Sequence, residues 1–272
     1  MLVNGQSSET ISVQDRGLLY GDGVFETILC EGGRPVLLAG HSQRLENGCK
    51  RLNLPRQDLP TILSDIRQVA GDDDCIVKVI ITRGAGARGY KYSQNNNSTR
   101  IVYRDEIANF PIEYYTQGIQ LTQCEHKLAE NGALSGIKHL NRLDQVLARN
   151  EWDDEYQEGV MLDNRGNVVE GTMSNIFIEK NQQWITPKLD HAGVAGVMRQ
   201  WIMRNSYHAD MECLEESISL SDLQTADALF VCNSVIGIWP VASFAGKDYS
   251  VSDATKIVMS HIHDNLSKFY LV

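Results

Sequence analysis

The sequence predicts a mixed α/β (α+β) protein built as two domains, and three observations carry that prediction. Short apolar runs of period two, punctuated by Gly and Asn, alternate with longer runs of helical period. The chain has 272 residues, enough for one large core or two smaller ones. Near Ile107-Ala108-Asn109-Phe110-Pro111-Ile112 the periodicity is lost and a proline intervenes, which marks a boundary. The expected parts are a smaller N-terminal α/β domain over residues 1–107, a linker over 108–117 and a larger C-terminal domain over 118–272.

A formal net charge of −10 argues against nucleic acid or an anionic membrane surface as the main partner. A small anionic substrate stays open, because local charge decides that. The start, Met1-Leu2-Val3-Asn4-Gly5, shows no basic region followed by an apolar run, and no apolar stretch is long enough to span a bilayer. A cytoplasmic protein is expected. Cys30, Cys49, Cys75, Cys124, Cys213 and Cys232 include no Cys-x-x-Cys pair, which fits reduced, buried thiols. No metal site is expected, since His261 and His263 fall two apart in a helical pattern and point to different sides.

In chain order, Leu2-Val3, Thr10-Ile11-Ser12-Val13, residues 25–30 and residues 35–38 read as strands of an antiparallel sheet. Between them, Asp15-Arg16-Gly17-Leu18-Leu19-Tyr20-Gly21-Asp22-Gly23-Val24-Phe25-Glu26-Thr27 carries three glycines and two aspartates. It reads as an irregular connection, either a turn or a wall of a binding site. Leu45, Cys49 and Leu52 mark a helix over 40–52 with Arg44 at the edge of its apolar face. Such an arginine snorkels to water or reaches an anion in a cleft. A second helix, with Ile62, Ile66 and Val69, leads to the strand Ile76-Val77-Lys78-Val79-Ile80-Ile81.

That strand ends in Arg83-Gly84-Ala85-Gly86-Ala87-Arg88-Gly89-Tyr90, which contains GxGxxG. A dinucleotide fingerprint needs a helix directly afterwards, and Lys91-Tyr92-Ser93-Gln94-Asn95-Asn96-Asn97 has no helical period. A Gly-rich loop whose Arg83, Arg88 and Tyr90 clasp a carboxylate-bearing ligand competes here with a plain exposed hairpin loop.

In the second half, Gly118 to Thr122 reads as a strand. The run Ser135-Gly136-Ile137-Lys138-His139-Leu140-Asn141-Arg142-Leu143 follows. Ile137, Leu140, Leu143, Val146 and Leu147 recur at helical spacing, so the run reads as a turn opening an amphipathic helix with Lys138 at its start. Lys138 alone reads as a surface lysine on a solvated helix face or, since the positive end of a helix dipole disfavours an ammonium, as a lysine neutral part of the time that suits a Schiff base. Beyond it, Gly159-Val160-Met161-Leu162 and Val168-Val169-Glu170 flank turn-forming residues and read as a hairpin. Ala192-Gly193-Val194-Ala195-Gly196-Val197-Met198-Arg199 passes from small residues into a helix, an arrangement that offers backbone N–H groups to a phosphate. Leu229-Phe230-Val231 is a buried strand that ends in Cys232-Asn233-Ser234.

Taken together, Gly21 to Thr27, Arg44 in His41-Ser42-Gln43-Arg44-Leu45, Lys138 in Gly136-Ile137-Lys138-His139-Leu140-Asn141-Arg142, Glu170 to Phe177, and Gly193 to Arg199 resemble the fold type IV pyridoxal-phosphate enzymes nearly end to end. The resemblance implies two α/β domains with the cofactor at their interface, held mainly by the C-terminal one. It implies that Lys138 carries pyridoxal 5'-phosphate and acts in catalysis, that Glu170 faces the pyridine nitrogen, and that Arg44 binds the cofactor phosphate. The backbone N–H groups of Val197 and Met198 and the Ser234 hydroxyl would assist Arg44. The Arg83 to Tyr90 loop and the Lys138 run look more like the branch that converts 4-amino-4-deoxychorismate to p-aminobenzoate and pyruvate. Aminotransferases of D- or branched-chain amino acids are the alternative within the fold, and a non-catalytic binder of pyridoxal phosphate or a metabolite is the alternative outside it. The resemblance also implies a homodimer acting on a small molecule.

Overall fold

The computed structural model describes residues 1–93 and 97–267. Gln94, Asn95 and Asn96 of the run expected to lack a helix lie outside the described residues. The fold is mixed α/β, and the chain divides into two compact units. One is Met1–Ala108 with Ile137–Asn141, and the other is Asn109–Gly136 with Arg142–Val272.

In the first unit, β1 (Leu2–Val3), β2 (Gln6–Ser7), β3 (Gly23–Glu31), β4 (Arg34–Pro35), β5 (Cys75–Thr82) and β6 (Thr99–Asp105) form one antiparallel sheet in the order β2-β1-β6-β5-β3-β4. Alternation decides which side is buried: Val24 and Ile28 of β3 and Val77, Val79 and Ile81 of β5 join one core. Against them lie Leu45 and Cys49 of α2 (Leu38–Arg51) and Ile62 and Ile66 of α3 (Leu59–Ala70). Burying each such aliphatic side chain contributes roughly 1.5–3 kcal/mol. Gly48 lets α2 ride close to the sheet, since a Cβ there would meet Val24 Cγ1 at 3.0 Å and Ile137 Cγ2 at 3.3 Å.

Two expected strands differ. Residues 10–13 form no strand: the Ser12 hydroxyl accepts from Gln14 N at 3.1 Å and the Ser12 carbonyl from Asp15 N at 2.9 Å, local bonds that compete with a ladder. The 35–38 run keeps only Pro35 in β4 before α2 begins at Leu38. The 15–27 stretch contains a short helix, α1 (Arg16–Tyr20), before β3.

In the second unit, β7 (Ile119–Gln123), β8 (Glu158–Leu162), β9 (Asn167–Gly171), β10 (Asn175–Lys180), β11 (Gln183–Pro187), β12 (Glu212–Glu216), β13 (Ile218–Ser219), β14 (Ala228–Asn233) and β15 (Gly237–Phe244) form a sheet in the order β12-β11-β10-β14-β15-β7-β8-β9-β13, with β16 (Lys247–Asp248) on β15. Phe177 stacks on Phe230 at 4.8 Å and Trp184 meets Phe230 edge-on at 5.3 Å, which fixes the middle of that sheet. Its helices are α4 (Glu113–Thr116), α5 (Leu143–Arg149), α6 (Val197–Asn205), α7 (Leu220–Thr225) and α8 (Asp253–Asn265). Residues 109–117, from the stretch expected as a linker, fall in this unit: Phe110, Tyr114 and Tyr115 set their rings edge-on to Trp239 at 4.8, 5.3 and 6.3 Å.

Among the described residues, no helix is long and apolar enough to cross a membrane. Nor does any group of three or more His, Cys, Asp and Glu come together there as a metal site.

Candidate active site

The first unit buries a charged cluster where β3 meets α2. Glu26 continues the inward alternation of Val24 and Ile28, so the strand drives a carboxylate into an apolar layer. Such a charge needs a partner. Arg44, one helical turn beyond His41 on α2, supplies it: its Nε donates to Glu26 Oε1 at 2.8 Å and its Nη2 to Oε2 at 2.5 Å. His41 Nδ1 lies 2.6 Å from the same Oε2. Burial pushes the Glu26 carboxyl up, but Arg44 and His41 outweigh it and hold it down at about 2. Arg44 is thus buried and paired, not reaching out to water.

Lys138 is not at a helix N-terminus. Residues 137–139 run beside β3, bridging Val24 through His139, with Phe25 N donating to Lys138 O at 3.0 Å and Leu140 N to Gly23 O at 3.0 Å. Gly23 permits the approach, because a Cβ there would meet Leu140 Cδ1 at 2.8 Å and Ile81 O at 2.5 Å. Alternation then sends Ile137 into the core and Lys138 the other way, its Nζ 4.6 Å from the centre of the Phe25 ring. The helix starts only at Leu143; Leu143, Val146 and Leu147 are 74 %, 52 % and 55 % exposed, while Ala148 is the residue it buries. The spacing that predicted the helix is not that of its buried face.

The Arg83 to Tyr90 loop is built around Asp22. Arg83 Nε and Nη2 donate to the two Asp22 carboxylate oxygens at 2.7 and 3.0 Å. The rest of its fork donates to Asn53 O and Leu52 O, both at 2.7 Å. Arg83, expected at the substrate, is buried and makes these four hydrogen bonds within the protein. Arg16, which the sequence did not single out, does the same from the other side, donating to Asp22 Oδ2 at 3.0 Å and to the carbonyls of Gly89 and Tyr90 at 2.8 and 3.1 Å. Burial raises the Asp22 carboxyl, and the two arginines more than reverse it. Arg88 is exposed and Tyr90 is 86 % exposed, its ring edge-on to Tyr20 at 5.6 Å.

In the second unit Glu170 sits buried on β9. Val194 N donates to its Oε2 at 2.7 Å and Gln145 Nε2 to its Oε1 at 3.3 Å. The left-handed φ of 85° at Gly193 aims that amide, and a Cβ there would crowd Glu170 Oε2 at 3.3 Å. Glu158, on the adjacent strand and also missed from sequence, gathers the turn after Glu170 by accepting from Thr172 N at 2.9 Å, Met173 N at 3.1 Å and Ser174 Oγ at 2.7 Å. At α6, Gly196 is the N-cap, and a Cβ there would run into Asn175 Oδ1. No side chain caps the helix and no acidic residue stands in its first turn, while Val197 and Met198 are buried. Ser234 lies in the turn after β14, where Asn233 Oδ1 accepts from Val235 N and Ile236 N at 2.8 and 2.9 Å.

Residues 23–244 match the model of the class IV aminotransferases. The chain belongs to that family. Among class IV relatives, an aminodeoxychorismate lyase of Vibrio harveyi is 31 % identical over 97 % of this chain and 98 % of its own length. A protein of Methanocaldococcus jannaschii, provisionally named a branched-chain-amino-acid aminotransferase, is also 31 % identical, over 95 % of this chain and 92 % of its own. The crystal structure of 4-amino-4-deoxychorismate lyase from Pseudomonas aeruginosa superposes with a TM-score of 0.94 at 39 % identity, covering 97 % of this chain and 98 % of that one.

Proposed function

We propose that this chain is a pyridoxal-phosphate-dependent lyase converting 4-amino-4-deoxychorismate to p-aminobenzoate and pyruvate. The observation that carries the reading is its near full-length likeness to two proteins named for that activity, one of them a solved structure. The donor set fits the cofactor. An uncapped helix N-terminus with a glycine where a side chain would clash suits a phosphate, as does a buried arginine. A carboxylate fixed by a backbone amide suits a protonated ring nitrogen. Pyridoxal phosphate, when bound, supplies an aldehyde for an amine and a ring that accepts an electron pair from the neighbouring carbon.

In this reading Lys138 is the covalent anchor. With the cofactor bound, the Lys138 amine would take the proton from substrate C4 and deliver a proton to the enolpyruvyl methylene. The C–O bond breaks, pyruvate leaves and the six-membered ring becomes aromatic. Glu170 keeps the pyridine nitrogen protonated. Arg44, the Val197 and Met198 amides and the Ser234 hydroxyl hold the phosphate. Arg88 and Tyr90, exposed on their loop, meet the substrate carboxylates, while Arg83 stiffens that loop from behind. We also propose a homodimer, as the resemblance to the fold type IV enzymes implies.

The second reading, an aminotransferase, is favoured by the 31 % identity to the archaeal relative. A product assay separates the two. Supplied with 4-amino-4-deoxychorismate generated in place, the protein should form p-aminobenzoate and pyruvate in equal amounts, and K138A should form neither. Amino transfer from an amino acid to a keto acid, with no p-aminobenzoate, would replace the lyase reading with the other.

A further inference from the structure

The Glu26–Arg44 pair is electrically closed. Both guanidinium–carboxylate contacts are made, Glu26 is ionised throughout the neutral range, and the charges cancel. An anion arriving at Arg44 therefore meets a site whose positive charge is already compensated. His41 is the third member, and its state follows from its neighbours. Because Glu26 is a carboxylate acceptor, Nδ1 must carry the proton of the neutral ring, and Nε2 is left as a bare lone pair. That Nε2 is buried and has no hydrogen-bond partner among the described residues. A buried polar atom without a partner costs about 1–3 kcal/mol and calls for a reason.

The groups facing His41 supply one. Glu26 comes from β3, Arg44 from its own helix and Lys138 from the segment beside β3. Burial foremost, then the two cations, keep the ring neutral against the pull of Glu26. A dianion on Arg44 offsets the repulsion from those cations. We propose that His41 is the proton-linked member of the phosphate site: when a phosphate-like dianion settles on Arg44, Nε2 takes up a proton, and the Glu26–His41–Arg44 cluster gains the positive charge its closed pair lacks. The inference rests on the reading of Arg44 as a phosphate ligand. It adds a residue, His41, and a proton to that reading.

Sulfate is the probe, because it is a dianion with no titrating proton of its own near neutral pH. Calorimetric titration of sulfate into the cofactor-stripped protein, in two buffers of different ionisation enthalpy, counts the protons taken up. Between the pKa of the free ring and that of the liganded ring, the wild-type protein should take up close to one proton per sulfate and its affinity should fall about tenfold per pH unit. His41→Asn keeps a donor for Glu26 and removes the titrating nitrogen, so its sulfate affinity should be flat with pH. In the wild type, the His41 Nε2 signal in nitrogen-15 spectra should move from the unprotonated to the protonated range on adding sulfate, a readout that needs no variant. Absent sulfate binding, no proton uptake, or equal uptake in His41→Asn overturns the inference. Pyridoxal phosphate titrated alongside, followed by absorbance, separates the two failures. Normal cofactor binding with no His41-dependent proton leaves the functional reading standing, whereas no cofactor binding removes both.

Discussion

Arg44 and Glu26 meet through two parallel hydrogen bonds, of 2.8 and 2.5 Å, between side chains that are both buried. Breaking such a pair from one side leaves a buried charge without its counterpart. Glu26→Gln should lower stability by roughly 3–5 kcal/mol, read from denaturant unfolding at pH 7.

The same pair sets an acid limit. The Glu26 carboxyl stands at about 2 in the folded protein against an ordinary 4.5, so its contribution is present above about 4.5 and is lost as pH falls from there through about 2. The loss should amount to ~3 kcal/mol over that window. Unfolding free energies measured across it should fall more steeply for the wild type than for Glu26→Gln.

Arg83 and Arg88 stand five residues apart and should behave oppositely. Arg83→Ala removes four hydrogen bonds and leaves Asp22 with Arg16 alone, which should cost on the order of 3 kcal/mol and open residues 84–93 to proteolysis. Arg88→Ala, on an exposed side chain, should change stability by no more than about 0.5 kcal/mol. Its effect should appear as a raised KM for 4-amino-4-deoxychorismate. Equal destabilisation by the two would contradict the division of labour.

Gly193 holds a φ of 85°, and a Cβ there would meet Leu189 Cδ2 and Val169 Cγ1 at 2.8 Å each. Gly193→Ala should cost about 1–3 kcal/mol in the cofactor-free protein. Because Val194 N is displaced from Glu170, it should also shift the absorbance of bound pyridoxal phosphate. Unfolding and cofactor titration read the two effects separately.

Much of this was legible in the chain. β3, β5, α2 and α3 followed from period and length, and the β8–β9 turn from its Asp-Asn-Arg-Gly-Asn run. Lys138 stood out for chemical reasons, but its local structure was misread. Ile137, Leu140, Leu143, Val146 and Leu147 have helical spacing, yet only Ile137 of the five enters a core, and tertiary pairing with β3 overrides the local pattern. Glu26 gave a signal that period alone makes available: one carboxylate at an inward position between Val24 and Ile28 must find a cation, and the nearest helix offered Arg44. Arg83 could not be told from Arg88 in sequence, since burial and Asp22 separate them only in three dimensions.

The most direct measurement is where the cofactor attaches. The protein loaded with pyridoxal phosphate would be reduced with borohydride, which makes a lysine–aldehyde linkage permanent, then digested and weighed peptide by peptide. The expected result is one phosphopyridoxyl group, on the peptide that contains Lys138, with none in K138A. A label on another lysine, or none at all on protein that has taken up the cofactor, would contradict the placing of Lys138 at the centre of the chemistry.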